Sequence, residues 1–205
     1  MTTLFIKAND RPAEKSISVK MYEQFLKRFR ESHPEEEIQE VHLYHTPLPL
    51  IGTSLIDNNN QAPLGLNLGS SNLSAADIQQ QHLEQFIAAD KIVIAFPLWN
   101  LTVPAALHMY LDCLHHPRKT FTYTKEGVKG LLTDKKAIIL NARGGIYRKD
   151  DPSEMSVRFV RNHLNFFGIT DITECVIEGH HQYPDRSEKI IQQGLEQVTR
   201  TAETI

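Results

Sequence analysis

An α/β fold, with a parallel sheet covered by helices on both faces, is the fold class this sequence predicts. Three observations carry that expectation. Five short apolar, β-leaning runs recur along the chain, and helix-patterned segments separate them. The third run, IVIAF, is continuously apolar rather than alternating, as a central strand buried on both faces requires.

The five runs are Leu4–Ala8, Ile38–Tyr44, Ile92–Pro97, Ala137–Asn141 and Ile172–Glu178. Between the first two, Tyr22, Phe25, Leu26 and Phe29 fall at i, i+3, i+4 and i+7, one face of a helix. Ser74, with Asp77 three residues on, is placed to cap a second helix running to about Ala89. Pro104 suits the first turn of a third, carrying Leu107, Tyr110, Leu111 and Leu114. Val157, Val160, Leu164 and Phe167 mark a fourth, starting near Ser153 and stopped by Gly168. Ile191, Leu195 and Val198 mark a C-terminal fifth. Right-handed crossovers leave few ways to connect these elements. They fit a three-layer sandwich on a five-stranded sheet in the flavodoxin-like order 2-1-3-4-5, with a truncated dinucleotide-binding fold as the alternative. The chain of 205 residues is read as one domain, 1–205. The stretch from Pro47 to Ser71, rich in Pro, Asn, Gly and Ser, has no periodicity and is long for a structureless loop.

Composition narrows the function classes. With 40% apolar and 23% charged residues and a net charge of −3, the chain reads as an ordinary soluble protein without the clustered Lys and Arg of a nucleic-acid binder. The start, MTTLFIKAND, has too short an apolar run for a signal peptide, and no run approaches the roughly 20 residues that span a bilayer. Two distant cysteines, Cys113 and Cys175, argue for reduced thiols and a cytoplasmic protein. Ten histidines include the pairs His115-His116 and His180-His181; these read as surface or interface residues, with metal binding a poor second. Glu35–Glu37 reads as a solvated connection.

In an open α/β sheet, ligands bind beyond the carboxyl ends of the strands at the switch point. Here that means the loops after the first, third and fourth runs. The first, NDRPAEKSIS, lacks G-x-G-x-x-G but puts Ser16 and Ser18 at a helix start, where a monophosphate fits. Plain capping by serine is the favoured alternative on this loop alone. The second, FPLWNLTVP, sets Trp99 beside Asn100, a platform for an aromatic heterocycle or a core tryptophan beside a turn. The third, NARGGIYRKD, offers Gly144 and Gly145 for close backbone approach, with Arg143 to assist; a surface Gly-Gly turn is the alternative. The convergence of three unusual loops at one place favours a site.

At these residues the sequence resembles the FMN-dependent NADH:quinone oxidoreductases, also called FMN-dependent NADH-azoreductases, of the flavodoxin-like fold. The resemblance runs through KANDRPAEKSISVKMYEQFL, ADKIVIAFPLWNLTVPAALHMYLD, KTFTYTKEGVKGLL, KKAIILNARGGIY and FFG. It implies FMN as bound cofactor, its phosphate on Ser16, Ile17 and Ser18. The ring would lie on Leu98, Trp99, Asn100 and Leu101 and on Ala142, Arg143, Gly144 and Gly145. Tyr123, with Tyr147 and Phe167, is expected on the substrate side. It implies NADH or NADPH as donor, a quinone or azo acceptor, a ping-pong cycle without a protein nucleophile, and a homodimer with the site at the subunit interface. The pattern departs at Ala8 and Asn9, where many relatives carry Ser-Ser, so that Asn9 or a main-chain group would take over that phosphate contact. It departs again at His42-Leu43, in place of Asp-Leu, and in Pro47–Ser71. A non-enzymatic flavodoxin-like electron carrier is the alternative function; such carriers are expected to be more acidic than this chain.

Overall fold

The computed structural model describes residues 1–53, 55–56, 74–148 and 151–205. Along the chain come β1 (Thr2–Lys7), α1 (Ile17–Ser32), β2 (Glu37–His42), α2 (Ala75–Ala88) and β3 (Lys91–Pro97). Then follow α3 (Ala105–Leu114), β4 (Phe121–Thr124), β5 (Gly127–Gly130), β6 (Lys136–Arg143), α4 (Ser156–Phe167), β7 (Asp171–Glu178) and α5 (Ser187–Thr204). Alternation inside the apolar runs decides the layering. Leu4 and Ile6 of β1 face one side of the sheet and Phe5 the other, all fully buried. In β3, Ile92, Ile94 and Phe96 join the first side, Val93 and Ala95 the second. Strands apolar on both sides must be central, because the period of two would otherwise expose half of each.

The main sheet is parallel throughout, in the order β2-β1-β3-β6-β7. With the β4–β5 strands set aside this is the expected flavodoxin-like 2-1-3-4-5. Met21, Tyr22, Phe25 and Phe29 of α1 and Val198 and Ala202 of α5 cover the Phe5 side. Phe86 of α2, Leu107, Tyr110 and Leu111 of α3, and Val160, Leu164 and Phe167 of α4 cover the other.

Local chemistry sets the helix ends. Ser74 Oγ accepts from Asp77 N at 3.2 Å while Asp77 Oδ2 accepts from Ser74 N at 2.9 Å, the reciprocal cap expected. Pro104 stands just before the first turn of α3 rather than in it. Helix α4 begins at Ser156, not near Ser153: the Glu154 carboxylate accepts from the N–H groups of Ser156 at 3.0 Å and Val157 at 2.9 Å and so fixes the first turn. Gly168 ends α4 at φ 98°, as a left-handed stop should.

Three expectations are corrected. The β4–β5 hairpin is absent from the predicted strands: four-residue strands with mostly exposed side chains carry no apolar run. Its Gly130 backs directly onto Gly168, where a Cβ would stand 2.2 Å from the Gly168 nitrogen. Glu36 is not part of a solvated connection; it pairs with Lys91, both side chains largely buried, and accepts from Thr3 Oγ1 at 2.7 Å. His115 is no free surface residue either, since its Nε2 lies 2.7 Å from His163 Nδ1 against Phe166 and Phe167. Much of Pro47–Ser71 lies outside the described residues.

Candidate functional site

The loops after β1, β3, β6 and β7 meet at the carboxyl end of the sheet around a cleft of about 260 Å³. Each is held there by its strand. Ala8 N donates to Ala95 O at 2.9 Å, and Leu98 N to Ala142 O at 2.9 Å, so sheet pairing continues to the rim. Asn141, fully buried, donates from Nδ2 to Phe96 O at 3.1 Å and ties β6 to β3 just beneath.

At one end lies the start of α1. Ser16 is its N-cap and accepts from Val19 N at 3.4 Å. Asn9, 3% exposed, donates from Nδ2 to Ser16 Oγ at 2.9 Å and to Ser18 Oγ at 3.1 Å, and its Oδ1 accepts from Arg11 N at 3.0 Å. Ser16 and Ser18 are themselves buried, and the two hydroxyls stand 3.2 Å apart. Arg11 and Lys15 line the same end. First-turn N–H groups without helical partners, a positive helix end, two hydroxyls and two cations together attract an anion.

At the other end, Trp99 and Thr102 exchange backbone hydrogen bonds at 3.0 Å in both directions, across Asn100 and Leu101 at φ 50° and 71°. Two successive positive φ angles make a mirror-image type I turn, which Asn accepts and Leu resists. Met155 N donates to Leu101 O at 3.1 Å and braces it. Opposite, Gly144 O accepts from His181 N at 3.1 Å and Gln182 N at 3.2 Å, and a Cβ on Gly144 would come within 2.8 Å of His181 Nδ1. The wall is therefore bare backbone because a side chain has no room.

His180, 7% exposed, also lines the cleft; its Nδ1 is buried and has no partner among the described residues. Burial lowers its basicity and neighbouring His181 lowers it further. A buried polar atom left without a partner on a cleft wall points to a ligand atom that supplies one.

The cleft thus brings together Ser16, Ile17, Ser18, Leu98, Trp99, Ala142, Arg143 and Gly144. Asn100, Leu101 and Gly145 are at its rim in sequence but do not line it. Arg143 faces elsewhere with its charge: Nε and Nη2 reach Glu178 Oε2 at 2.8 Å, Nη1 lies 3.4 Å from Glu154, and the guanidinium sits 5.2 Å from the Tyr147 ring centre. Tyr147 lines a neighbouring polar cavity with Arg148 and Arg158. Tyr123, 72% exposed on β4, borders another cavity with Asp112 and Phe121. Phe167 is corrected outright: it is fully buried in the core between Phe86 and His115, leaving no surface to line a substrate site. Sequence reading passed over Arg11, Lys15, His180 and His181 as lining residues. The rule that singled out three loops, applied to the carboxyl end of the last strand as well, would have reached the histidines.

Comparison with known proteins agrees with this fold. A model of the flavodoxin-like fold matches residues 1–202. An FMN-dependent NADH:quinone oxidoreductase of Bacillus cereus is 46% identical over 203 residues, 98% of each chain. The crystal structure of an azoreductase from Bacillus anthracis superposes with a TM-score of 0.92 at 45% identity, over 100% of this chain and 99% of that one. An FMN-dependent NADH-azoreductase from the same species, solved in complex with FMN, superposes with a TM-score of 0.83 at 28% identity, over 98% and 97%. The chain belongs to the FMN-dependent NADH:quinone oxidoreductase and azoreductase family of the flavodoxin-like fold.

Proposed function

We propose that the cleft holds FMN and that the protein uses it to pass electrons from NADH or NADPH to quinones and azo compounds. The observation that carries this reading is the two-ended cleft: a buried donor cluster at the start of a long helix, and a bare-backbone slot beside Trp99. The residues present fit the group. Ser16, Ile17 and Ser18 would hold its phosphate, with Arg11 and Lys15 adding positive charge. Leu98–Leu101 and Ala142–Gly145 would flank the ring, and His180 Nδ1 would gain the polar partner it lacks. When bound, FMN supplies the two-electron chemistry, accepting hydride from the nicotinamide and delivering electrons to the acceptor. The chain contributes position, exclusion of water and backbone donors, and that chemistry asks no nucleophile of it.

Donor and acceptor would share one opening in turn, a ping-pong cycle. Leu101, Ile146 and Met155, exposed on the loops after β3 and β6 and before α4, would seat a second copy of the chain, which brings Tyr123 and Tyr147 toward a shared substrate entrance. Free, buried Cys113 and Cys175 suit the reducing cytoplasm.

Purified protein should be yellow, release FMN on acid denaturation, and bleach when NADH is added without oxygen. A protein that takes up no flavin would sink this reading; a yellow protein that NADH cannot bleach would instead be an electron carrier. Initial rates at several acceptor concentrations should give parallel double-reciprocal lines.

A further inference from the structure

We propose that Asn9 is a positioning residue that aims the Ser18 hydroxyl proton into the cleft, and that this relay is how the protein tells a phosphate monoester from the corresponding free alcohol. The inference rests on the FMN reading above and concerns an interaction inside its phosphate end. A serine oxygen accepts two hydrogen bonds and donates one. Ser16 Oγ already accepts from Asn9 Nδ2 at 2.9 Å and from Val19 N at 3.4 Å. Its own proton must therefore leave, and Ser18 Oγ stands 3.2 Å away. Ser18 Oγ also accepts from Asn9 Nδ2, at 3.1 Å, so with Ser16 donating it too is full. The reverse direction, Ser18 to Ser16, would put three donors on one oxygen. The Ser18 proton then has no acceptor among the described residues and points to the cleft, which both serines line.

Asn9 spends both amide protons on the serines, and its Oδ1 is engaged by Arg11 N at 3.0 Å. It lines the cleft beside them, and the relay carries its effect on a ligand through Ser18. An amide is needed for this: a serine at position 9 has one proton, not two, and a carboxylate has none. Donation in sequence polarises each next hydroxyl, which strengthens the last bond to an anion. A second feature of the same cleft marks it as built for a ligand, the unpartnered His180 Nδ1 on its wall.

The test compares FMN with riboflavin, which lacks only the phosphate, by flavin fluorescence quenching on the full-length chain freed of flavin. Asn9→Leu should weaken FMN binding roughly ten- to hundredfold, the worth of a hydrogen bond to a charged group, and leave riboflavin within about twofold. In the Ser18→Ala background, Asn9→Leu should cost FMN nothing more, because the effect travels through Ser18. Asn9→Asp, which keeps the volume and the acceptor for Arg11 N, should lose at least as much as Asn9→Leu, since it draws the serine protons inward; it also stands in should Asn9→Leu fail to fold. An FMN-to-riboflavin preference unchanged in either variant, or losses that add in the double variant, would overturn the relay and leave the FMN reading intact. A wild type that binds FMN no better than riboflavin would overturn that reading and the relay with it.

Discussion

Arg143 looks in the sequence like a ligand-binding arginine beside two glycines, yet its charge is spent inside the protein. Its guanidinium joins Glu178 on β7 to Glu154 at the start of α4. Burial works to raise the Glu154 carboxyl, but hydrogen bonds from Ser156 and Val157 and the charge of Arg143 outweigh it and hold it below the usual carboxylate range. Arg143→Met should therefore destabilise the fold by about 2–4 kcal/mol, because it strands two half-buried carboxylates. Chemical denaturation would measure this. Gly144→Val is the opposite case. Its added carbons meet His181 within 2.8 Å and fill the slot, so the variant should fold yet lose its flavin absorbance. Unchanged flavin content would refute the placement of the ring.

Between residues and the molecule stand elements whose ends and contacts were only partly legible. On α4, His163 is held down to about 4, by burial first and by the neighbouring His115 second. Its folded value lies below the unfolded 6.5, so on acidification the unfolded chain binds a proton before the folded one does. That contribution to stability is complete above about pH 6.5 and is lost as pH falls toward about 4. His163→Phe should flatten this limb of the stability-versus-pH curve, measured by thermal melts across the window. Hairpin β4–β5 rests on the Gly130–Gly168 contact, and Gly130→Ala would force backbone against backbone. A loss of at least about 3 kcal/mol is expected, more than for a surface Gly→Ala, with Tyr123 displaced as the hairpin shifts. The turn at Asn100-Leu101 carries the contrary prediction. Leu101→Gly removes a side chain from left-handed backbone and should raise the melting temperature, while weakening whatever its exposed side chain covers.

At the scale of the whole molecule, both core clusters are built from the two faces of the same strands. Phe25→Ala, deep under β1 on the α1 side, should cost about 3–5 kcal/mol. If two copies pair across Leu101, Ile146 and Met155, light scattering should report a dimer that charged substitutions at these three positions dissociate; a monomeric wild type would discard the shared-entrance arrangement. Sheet order and five helices were readable because each depends on periodicity within a dozen residues, and because right-handed crossovers leave few topologies. The cleft was readable as a meeting of loops, since a parallel sheet fixes which strand ends those loops share.

What the sequence by itself determined is therefore local and combinatorial: strands apolar on both sides, helices with one apolar face, three unusual loops at one end, and motifs that place the chain in its family. Tertiary structure decided what each of those loop residues spends its hydrogen bonds on. Asn9, an apparent departure from the family pattern, is the hub of the serine cluster. Arg143 belongs to an ion-pair network and Phe167 to the core. His180, from the far end of the chain, lines the cleft. The physical reason is that a hydrogen bond or a burial is fixed by neighbours in space. Glu178 lies 35 residues from Arg143, beyond any local pattern, and the serines 7 and 9 residues from Asn9 are reached across a loop with no regular period.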